Sequence, residues 1–307
     1  MAATSLNALN AFLAVARRRS FAAAAAELGI SPSALSQSVR QLEARLGTVL
    51  LLRTTRSAAL TDAGRRLLEQ AGPAVNQAVE ALQAASARPG ELTGKVRLTV
   101  PEIAVPFVVT PVVPGFVARH PKISVEVQVD NRRVDIVANG FDAGVRLEEF
   151  LERDMVHVQL TEAFRFVVVG APSYLERRGT PASPRDLLEH DCLCFRSPTT
   201  DAPYPWELER GKKSWRVPVQ GVLTSNDESV LRAMAEAGLG LAYAFEPLVA
   251  AQLQRGSLRL VLEPFAATVP GFFLYFPSRS QVSPAFRAFL DTARELTGRG
   301  RVNSKRK

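Results

Sequence analysis

A helix, a glycine turn and a second helix are predicted between residues 20 and 46, and this run constrains the fold more than any other part of the chain. Ser20 is a good N-cap, and the alanine-rich segment after it has the composition that forms helices most readily. Gly29 supplies the backbone freedom that ends such a helix. Ser31 and Pro32 are then typical of the N-cap and first position of the next helix, where the missing proline N–H costs nothing.

The second predicted helix has an apolar face and a polar face. Its apolar residues recur at the three- and four-residue spacing of a buried helix face: Leu35, Val39, Leu42 and Leu46. The polar face carries short or planar hydrogen-bonding side chains, which suit base edges and phosphates in a DNA major groove. These candidate DNA-binding residues are Ser33, Ser36, Gln37 and Arg40. An ordinary pair of core helices is the alternative, since solvated faces are also polar.

A short hairpin is predicted directly after the second helix. Residues 50–60 have the sequence LLLRTTRSAAL, which predicts two short strands with Arg53 and Arg56 about their turn. A winged helix-turn-helix places the wing that contacts phosphates or the minor groove at this point. The hairpin therefore favours DNA binding over the core-helix alternative, and it adds Arg53, Thr54 and Arg56 to the candidate DNA-binding residues.

The ordered motifs of residues 21–64 resemble the N-terminal domain of the LysR-type transcriptional regulators, and the similarity continues along the whole chain. The motifs are FAAAAAEL, SPSALSQ, LExxLG, RTTR and LTxAG. Leu51 departs from the pattern, because the family usually has an aromatic residue there. The resemblance implies a sequence-specific regulator that binds an inverted repeat in promoter DNA as a homodimer or tetramer. RNA polymerase is a candidate further partner.

Length, composition and the first residues limit the remaining choices. A chain of 307 residues is too long for one ordinary core and predicts two or three domains. A hydrophobic content of 47% and a charged content of 22% are typical of globular proteins. We expect no membrane span, because the sequence has no run of 18 or more purely apolar residues. The N-terminal arginines follow the apolar segment, the reverse of a signal peptide, which predicts a cytoplasmic protein.

The basic residues are concentrated at the two ends of the chain. Residues 1–60 contain seven arginines and two glutamates, and residues 299–307 contain five basic residues and no acid. The whole chain carries +8, so residues 61–298 carry a net charge of −2. The N-terminal surplus indicates a polyanionic partner. The basic tail is expected to be solvated and disordered, with added non-specific affinity for DNA as the alternative.

A long amphipathic helix is predicted after the hairpin. Thr61 caps it, and an apolar stripe runs from Leu67 to about residue 87. In the LysR-type family the equivalent linker helix packs against that of the dimer mate, whereas folding back onto its own domain is the alternative. Pro73 lies inside the helix and is a candidate kink. One proline and two glycines within residues 89–94 predict a hinge.

From residue 95 onwards, strand patterns alternate with helix patterns, which predicts an α/β domain with mostly parallel sheets. Strands are predicted at KVRLTV, ISVEVQV, FDAGVRL, MVHVQL, FRFVVVG, DCLCFR, SWRVPV, GLAYAF and GFFLYF, whereas VDIVANG is predicted as a short helix and YPWELE as a loop. The resemblance adds two subdomains like those of a periplasmic solute-binding protein, with a cleft between them. The chain would cross between them near residue 161 and return near residue 266.

The predicted fold class is α/β with an N-terminal winged helix-turn-helix, a linker helix and a two-subdomain, periplasmic-binding-protein-like effector domain. The winged helix-turn-helix takes residues 1–60, the dimerising linker helix 61–88, the hinge 89–94, the effector-binding domain 95–298 and the basic tail 299–307. Within the effector domain, subdomain I takes about 95–160 and 267–298, and subdomain II takes about 161–266.

Candidate effector-binding residues lie at strand ends and at one helix start, because ligands of α/β folds bind at the carboxyl ends of strands. Ser225 and Glu228 have capping-box spacing, so the helix after them begins with amides that favour an anion, or the residues serve capping alone. Arg146 and Arg196 end strands and either clamp a carboxylate or lie on the surface. The full set is Glu102, Ile103, Arg146, Arg196, Ser225, Asn226 and Asp227.

Glu102 sets this chain apart from many relatives in the family that it resembles. Those relatives have a Ser or Thr near this position that contacts the effector, whereas Pro101 and Glu102 follow the first strand here. A carboxylate-binding pocket therefore does not carry over directly, and a cationic or amide group is the alternative ligand. The sequence does not identify the effector, the target genes, or whether the protein activates or represses transcription.

Other classes of function find little support in the sequence. It has no Gly-rich phosphate loop, no G-x-S-x-G motif and no histidines with metal-ligand spacing, which argues against an enzyme. Cys192 and Cys194 are expected to be small buried residues, because a disulfide between them would be strained. No catalytic residue, metal ligand or cofactor is predicted. A solute-binding protein would need a signal peptide, and a purely structural oligomer would leave the arginines of the wing unexplained.

Overall fold

The N-terminal part of the protein is a three-helix unit with a two-stranded hairpin. The structure is a computed structural model that describes residues 6–53, 58–85, 92–147, 155–277, 282–298 and 302–303. The helices are α1 (Leu6–Arg18), α2 (Phe21–Leu28) and α3 (Pro32–Leu46), and the hairpin consists of β1 (Leu51–Arg53) and β2 (Ala58–Leu60). The strands pair antiparallel, as expected of a wing.

Local capping sets the ends of α2 and α3. The hydroxyls of Ser20 and Ser31 each accept a hydrogen bond from the amide three residues on, at 3.3 and 3.2 Å. Gly29 and Gly47 end the two helices in the left-handed conformation, with φ of +64° and +62°. The predicted helix-turn-helix is therefore confirmed.

The apolar face of α3 is buried in the core of this N-terminal unit. Leu35, Val39 and Leu42 are each at most 1% exposed and pack in one cluster with Phe12 and Leu13 of α1. Burial of each such side chain contributes about 2 kcal/mol. Because this face is buried, the opposite face of α3 points outwards.

A single long helix, α4 (Asp62–Ala85), follows the hairpin. The hydroxyl of Thr61 accepts a hydrogen bond from the amide of Gly64 at 3.0 Å, so the predicted cap is confirmed. The helix continues through Pro73 without a break in its assignment. Leu68 and Val75 are buried in the N-terminal core, so the first half of α4 packs on its own domain. Packing on a dimer mate stays a prediction for the rest of the helix.

The remainder of the chain is an α/β domain. Its strands are β3 (Gly94–Val100), β4 (Ile123–Val129), β5 (Ala143–Leu147), β6 (Met155–Gln159), β7 (Phe164–Gly170), β8 (Cys194–Phe195), β9 (Trp206–Arg210), β10 (Lys213–Val217), β11 (Thr224–Ser225), β12 (Ala242–Phe245), β13 (Arg259–Val261), β14 (Ala267–Val269), β15 (Phe272–Pro277) and β16 (Val302–Asn303). Its helices are α5 (Thr110–Arg119), α6 (Pro172–Arg178), α7 (Glu228–Glu236), α8 (Glu246–Gln254) and α9 (Pro284–Thr297). A 3₁₀ helix, Pro184–Glu189, follows α6.

The strands form two main sheets. The first sheet has the order β16-β6-β15-β5-β3-β4, and the second has β12-β7-β13, with β14 also pairing with β7. Only β3 with β4, β3 with β5, and β8 with β11 are parallel among the described strand pairs. The prediction of mostly parallel sheets was therefore wrong. In the first sheet, β15 returns from the second sheet and runs antiparallel between β5 and β6. In the second sheet, β12, β13 and β14 all pair antiparallel with β7.

The chain changes sheets at two places. It passes from β6 to β7 and returns from β14 to β15. Aromatic side chains pack at this junction: the ring centroid of Phe164 lies 4.9 Å from that of Phe107 and 5.7 Å from that of Phe272. Phe245 of the second sheet lies 5.8 Å from Phe272. These contacts join the two subdomains, whereas the exact domain bounds stay predictions.

The stretch Glu102–Arg119 is long and apolar enough to cross a membrane by length and composition, with a mean hydropathy of 1.4 over 18 residues. No such run was expected from the sequence. The stretch begins as a 3₁₀ turn and a π-helix before α5, and Pro106 and Pro114 lie within it. Val112 and Phe116 are fully buried in the core of the first sheet. One side of the stretch therefore packs on this core, and 22% of its residues are buried.

Three further segments differ from their sequence predictions. The VDIVANG segment forms hydrogen-bonded turns rather than a helix, because the amide of Phe141 binds the carbonyl of Ile136 at 2.8 Å and ends the turn beside β5. The WELE residues form β9 instead of a loop, with Trp206 and Leu208 each 2% exposed. The predicted DCLCFR strand is reduced to the two residues of β8.

Candidate DNA-binding face and effector cleft

The outer face of α3 presents the predicted base-reading residues to solvent. Ser33, Gln37 and Arg40 are exposed, and Ser36 is half-buried. Their spacing of three or four residues places them on one side of the helix. The side chain of Arg53, and all of Thr54 and Arg56, lie outside the described residues. The DNA-binding role of the whole set stays a prediction.

One glutamate connects α3 to the wing. The Oε1 atom of Glu43 accepts hydrogen bonds from the amides of Leu50 and Leu51, at 2.9 and 3.1 Å. Both leucines are 2% exposed, so these amides depend on Glu43 as their acceptor. The position of the wing relative to the outer face of α3 is therefore set by a charge-assisted contact.

The arginines at the end of α1 connect elements of the N-terminal unit. Arg18 forms an ion pair with Glu27 of α2 at 2.6 Å, and Arg17 approaches the same carboxylate at 3.9 Å. The carbonyl of Arg19 accepts a hydrogen bond from the amide of Ala58 in β2 at 3.0 Å. These arginines therefore join α1 to α2 and to the wing.

A polar cavity of about 430 Å³ lies between the end of α1 and the loop after β4. Several charged side chains that line it form ion pairs with one another. Arg18 pairs with Glu27, and Arg132 pairs with Asp130 at 2.7 Å. None of the predicted effector-binding residues lines it. It adjoins the loop after β4 through Asp130, Arg132 and Arg133.

The side chain of Asn131 links the two subdomains across the cleft. Its Oδ1 accepts a hydrogen bond from the amide of Glu102 at 2.9 Å, and its Nδ2 donates to the carbonyl of Asn226 at 3.4 Å. A second link joins the amide of Arg133 to the hydroxyl of Thr199 at 3.0 Å. Sequence reasoning missed Asn131, although its position soon after β4, at the carboxyl end of a strand, was an available signal.

Arg146 lies beneath the loop that carries Asn131. It is 5% exposed and donates to the carbonyls of Val145, Asp130 and Arg132, at 2.7, 3.1 and 2.6 Å. Burial lowers the pKa of this guanidinium. Two of its three acceptors flank Asn131, so Arg146 holds this loop in place. Clamping an effector carboxylate stays a prediction that these contacts do not favour.

Arg196 and Ile103 also have partners within the protein. The Nη1 atom of Arg196 donates to the carbonyl and the carboxylate of Asp201, at 2.8 and 3.0 Å, while its side chain is 46% exposed. Ile103 is half-buried against the core of the first sheet. Their effector-binding roles also stay predictions.

Asp227 is the N-cap of α7, where the sequence predicted a capping box begun by Ser225. Its carboxylate accepts hydrogen bonds from the amides of Ser229 and Val230, at 2.8 and 3.4 Å, whereas the hydroxyl of Ser225 accepts from the amide of Asp227 at 3.1 Å. The capping-box prediction was wrong because Asp227 lies closer to these amides. A side-chain hydrogen bond from Ser229 lowers the pKa of Asp227. The amides expected to favour an anion are therefore already occupied.

Acidic groups are concentrated where α7 faces the end of β3. Burial and the nearby charge of Asp227 raise the pKa of Glu102. Burial raises the pKa of Glu228 to about 7, and Glu102 and Asp227 act in the same direction. Arg232 is the cation that lowers the pKa values of all three carboxyl groups. Among the described residues, no group of three or more His, Cys, Asp or Glu has a geometry that could hold a metal ion.

A winged helix-turn-helix, joined by a long helix to a two-subdomain α/β domain, defines a class of DNA-binding transcriptional regulators. Family models support this assignment over almost the whole chain. Residues 6–65 match the bacterial regulatory helix-turn-helix proteins of the lysR family, and residues 89–298 match the LysR substrate binding domain. The chain belongs to the LysR family of transcriptional regulators.

Relatives with similar sequences carry corresponding descriptions. A putative transcriptional regulator of Pseudomonas aeruginosa is 39% identical over 96% of this chain and 97% of its own. The HTH-type transcriptional regulator PgrR of Escherichia coli is 36% identical over 92% of this chain and 95% of its own. These matches span both the N-terminal and the α/β part.

Solved full-length structures share the architecture. The virulence activator AphB of Vibrio cholerae, a member of the same family, superposes with a TM-score of 0.64 at 20% identity, covering 94% of this chain and 98% of its own. CrgA of Neisseria meningitidis, a LysR-type transcriptional regulator, superposes with a TM-score of 0.57 at 26% identity, with the same coverage. The predicted fold class is thereby confirmed.

Proposed function

We propose that this protein binds an inverted repeat in promoter DNA as a homodimer or tetramer, and that a small-molecule effector in the cleft changes this binding. The observation that carries the proposal is the outer face of α3. Its exposed Ser33, Gln37 and Arg40 stand opposite a buried apolar face, and Glu43 holds the wing beside them. A dimer presents two such faces to the two half-sites of a repeat. RNA polymerase is a candidate further partner.

The proposed effector response depends on the links across the cleft. Asn131 is held by the amide of Glu102 in its own subdomain and donates to Asn226 of the other, so a ligand that replaces the bond to Asn226 changes the relative stability of open and closed arrangements. A ligand shifts this equilibrium only to the extent that it binds one arrangement more tightly. For the effector to change DNA binding, the DNA-binding domains must be held differently in the open and in the closed arrangement.

The proposed site of action is the cytoplasm, where promoter DNA is found, and the proposed activity is binding without catalysis. Membership of a family of transcriptional regulators supports both points. The rival functions are an enzyme or a solute receptor built on the same α/β unit. Either would leave the exposed polar face of α3 without a role.

The experiment measures binding of fluorescent duplexes that carry the DNA upstream of the protein's own gene. Gln37→Ala and Ser33→Ala should change the preference among base-substituted duplexes, because exposed side chains on α3 would contact base edges. Arg53→Ala and Arg56→Ala should weaken binding to all duplexes and reduce the salt slope by about one per lost phosphate contact. Arg287→Ala, which removes an exposed charge from α9, is the matched control. Unchanged preference and salt slope in all four variants would contradict the proposal.

A further inference from the structure

The start of α7 holds more negative than positive charge. Glu102, Asp227 and Glu228 interact electrostatically there with a single nearby cation, Arg232. Asp227 is already used, because its carboxylate caps the helix through the amides of Ser229 and Val230. Two carboxylates and one guanidinium remain. No ion pair within 4.0 Å joins Arg232 to either carboxylate in the described part of the chain, so negative charge exceeds positive charge here whenever Glu228 is ionised.

One carboxylate oxygen of Glu228 is buried and unsatisfied. Its Oε2 atom is shielded from solvent and has no hydrogen-bond partner among the described residues. A buried carboxylate oxygen without a donor is unfavourable, and such atoms are uncommon in folded proteins. Glu228 interacts electrostatically with Glu102, whose backbone amide donates to the side chain of Asn131. The site therefore lacks both a positive charge and a hydrogen-bond donor.

An ammonium group supplies both of these missing features. It carries a full positive charge and three N–H donors, and charge-assisted bonds to carboxylates are among the stronger hydrogen bonds in proteins. An anion fits poorly, because the amides at the start of α7 are occupied by Asp227 and the surrounding charge is negative. A metal ion fits poorly as well, since these carboxyl groups do not form a metal-binding group in the described structure.

We propose that the effector carries an ammonium group, which binds between the carboxylates of Glu102 and Glu228 in the cleft. This inference rests on the proposed function of the cleft as the effector site. The ligand class is an ammonium compound, and the two residues that would hold it are Glu102 and Glu228. Binding replaces the missing donor of Glu228 and brings a cation next to Glu102. Because an ionised Glu228 binds a cation more strongly than a protonated one, the affinity for the ammonium group should rise with pH. The other charged groups near Glu228 are Glu102, Asp227 and Arg232.

The test is a thermal-shift titration of the full chain with methylamine and 1,4-diaminobutane. The neutral 1,4-butanediol and the anion succinate serve as matched ligands. At a ligand concentration ten times Kd, the amine should raise the Tm of the wild type by about 3 °C. We expect this shift at pH 8, a smaller shift at pH 6, and none with the diol or succinate.

Substitution of single glutamates tests whether the amine binds at Glu102 and Glu228. Glu228→Gln and Glu102→Gln keep the shape of the side chain and remove its charge, so each should lose most of the amine-induced shift. Glu176→Gln, on the exposed side of α6, should keep it. The Tm of each variant without ligand, together with its circular dichroism spectrum, establishes that it is folded. A shift of equal size in Glu228→Gln and in the wild type, a larger shift with succinate, or no shift of the wild type with either amine would overturn the proposal.

DNA binding by the same samples separates this inference from the proposed function. Specific binding to upstream DNA without any amine effect would leave the regulator role intact and overturn only the ammonium inference. An amine effect without specific DNA binding would contradict the regulator role instead. Loss of the thermal shift in Glu228→Gln, with DNA binding retained, supports both.

Discussion

The carboxylate of Glu43 accepts a hydrogen bond from the backbone amide of Leu50 at 2.9 Å, and this contact joins α3 to the start of the wing. Glu43→Ala would leave the buried amides of Leu50 and Leu51 without this acceptor, which costs about 1–3 kcal/mol. We expect a lower free energy of unfolding in urea, and weaker DNA binding because the wing is no longer held. Glu43→Gln keeps an acceptor oxygen and should lose less. Equal losses in the two variants would contradict this explanation.

Gly64 of α4 lies against the backbone at the base of the wing. A Cβ added there would come 2.2 Å from the carbonyl oxygen of Leu50, so Gly64→Ala should lower the free energy of unfolding by about 2 kcal/mol or more. Gly72, in the same helix, has its nearest neighbour at an ordinary 3.7 Å. Gly72→Ala should therefore raise stability by about 0.5–1 kcal/mol, through helix propensity. Chemical denaturation of both variants checks the pair, and destabilisation by Gly72→Ala alone would be inconsistent with these contacts.

Glu228 should make stability depend on pH. Its pKa in the folded protein is about 7, compared with 4.5 for the ordinary group, so the folded protein binds the proton more tightly. The stabilisation is fully present below about pH 4.5 and is lost as the pH rises through 7. Glu228→Gln should therefore gain up to about 3 kcal/mol relative to the wild type at pH 8, and little at pH 4.5. Urea unfolding at the two pH values measures this, with Glu176→Gln as control; a larger gain at the lower pH would contradict the assignment.

The two cysteines should be inert in the folded protein. Both are buried, and burial raises the pKa of Cys192 to about 12 and that of Cys194 in the same direction. Because the thiolate is the reactive form, an aromatic disulfide reagent should label neither thiol in native buffer and both in guanidinium chloride. Rapid native labelling of either residue would show that this region opens readily.

The N-terminal unit could be predicted from sequence almost to the residue, because its signals are local. Ser20, Gly29 and Ser31 act within one helical turn, and the apolar spacing of α3 matches its buried face at Leu35, Val39 and Leu42. Leu46, at the end of the helix, is 45% exposed, although its spacing predicted burial. The direction of β15 could not be predicted, since it depends on strands more than 100 residues away in sequence. Asn131 and Asn226 are likewise separated by 95 residues. Ser225 and Asp227 are both good caps by composition, and only the backbone geometry distinguishes them.

The wing and the effector domain illustrate the same limit. The residues that flank the turn of the hairpin follow from their sequence pattern, whereas the dependence on Glu43 comes from a contact between α3 and β1. Arg146 ends a strand, as expected, but its buried guanidinium binds carbonyls of a neighbouring loop. The sequence pattern therefore gave the place of Arg146 near the end of β5, and no information about its burial or its partners.

Sequence-specific DNA binding is tested by the ratio of two affinities. One is for the DNA upstream of the protein's own gene, and the other is for a scrambled duplex of equal length. The measurement uses the full chain at a salt concentration of about 150 mM, since affinities without a stated salt concentration cannot be compared. A sequence-specific regulator should bind the upstream DNA at least about 1,000-fold tighter than the scrambled duplex. Equal affinity for the two duplexes would contradict this role.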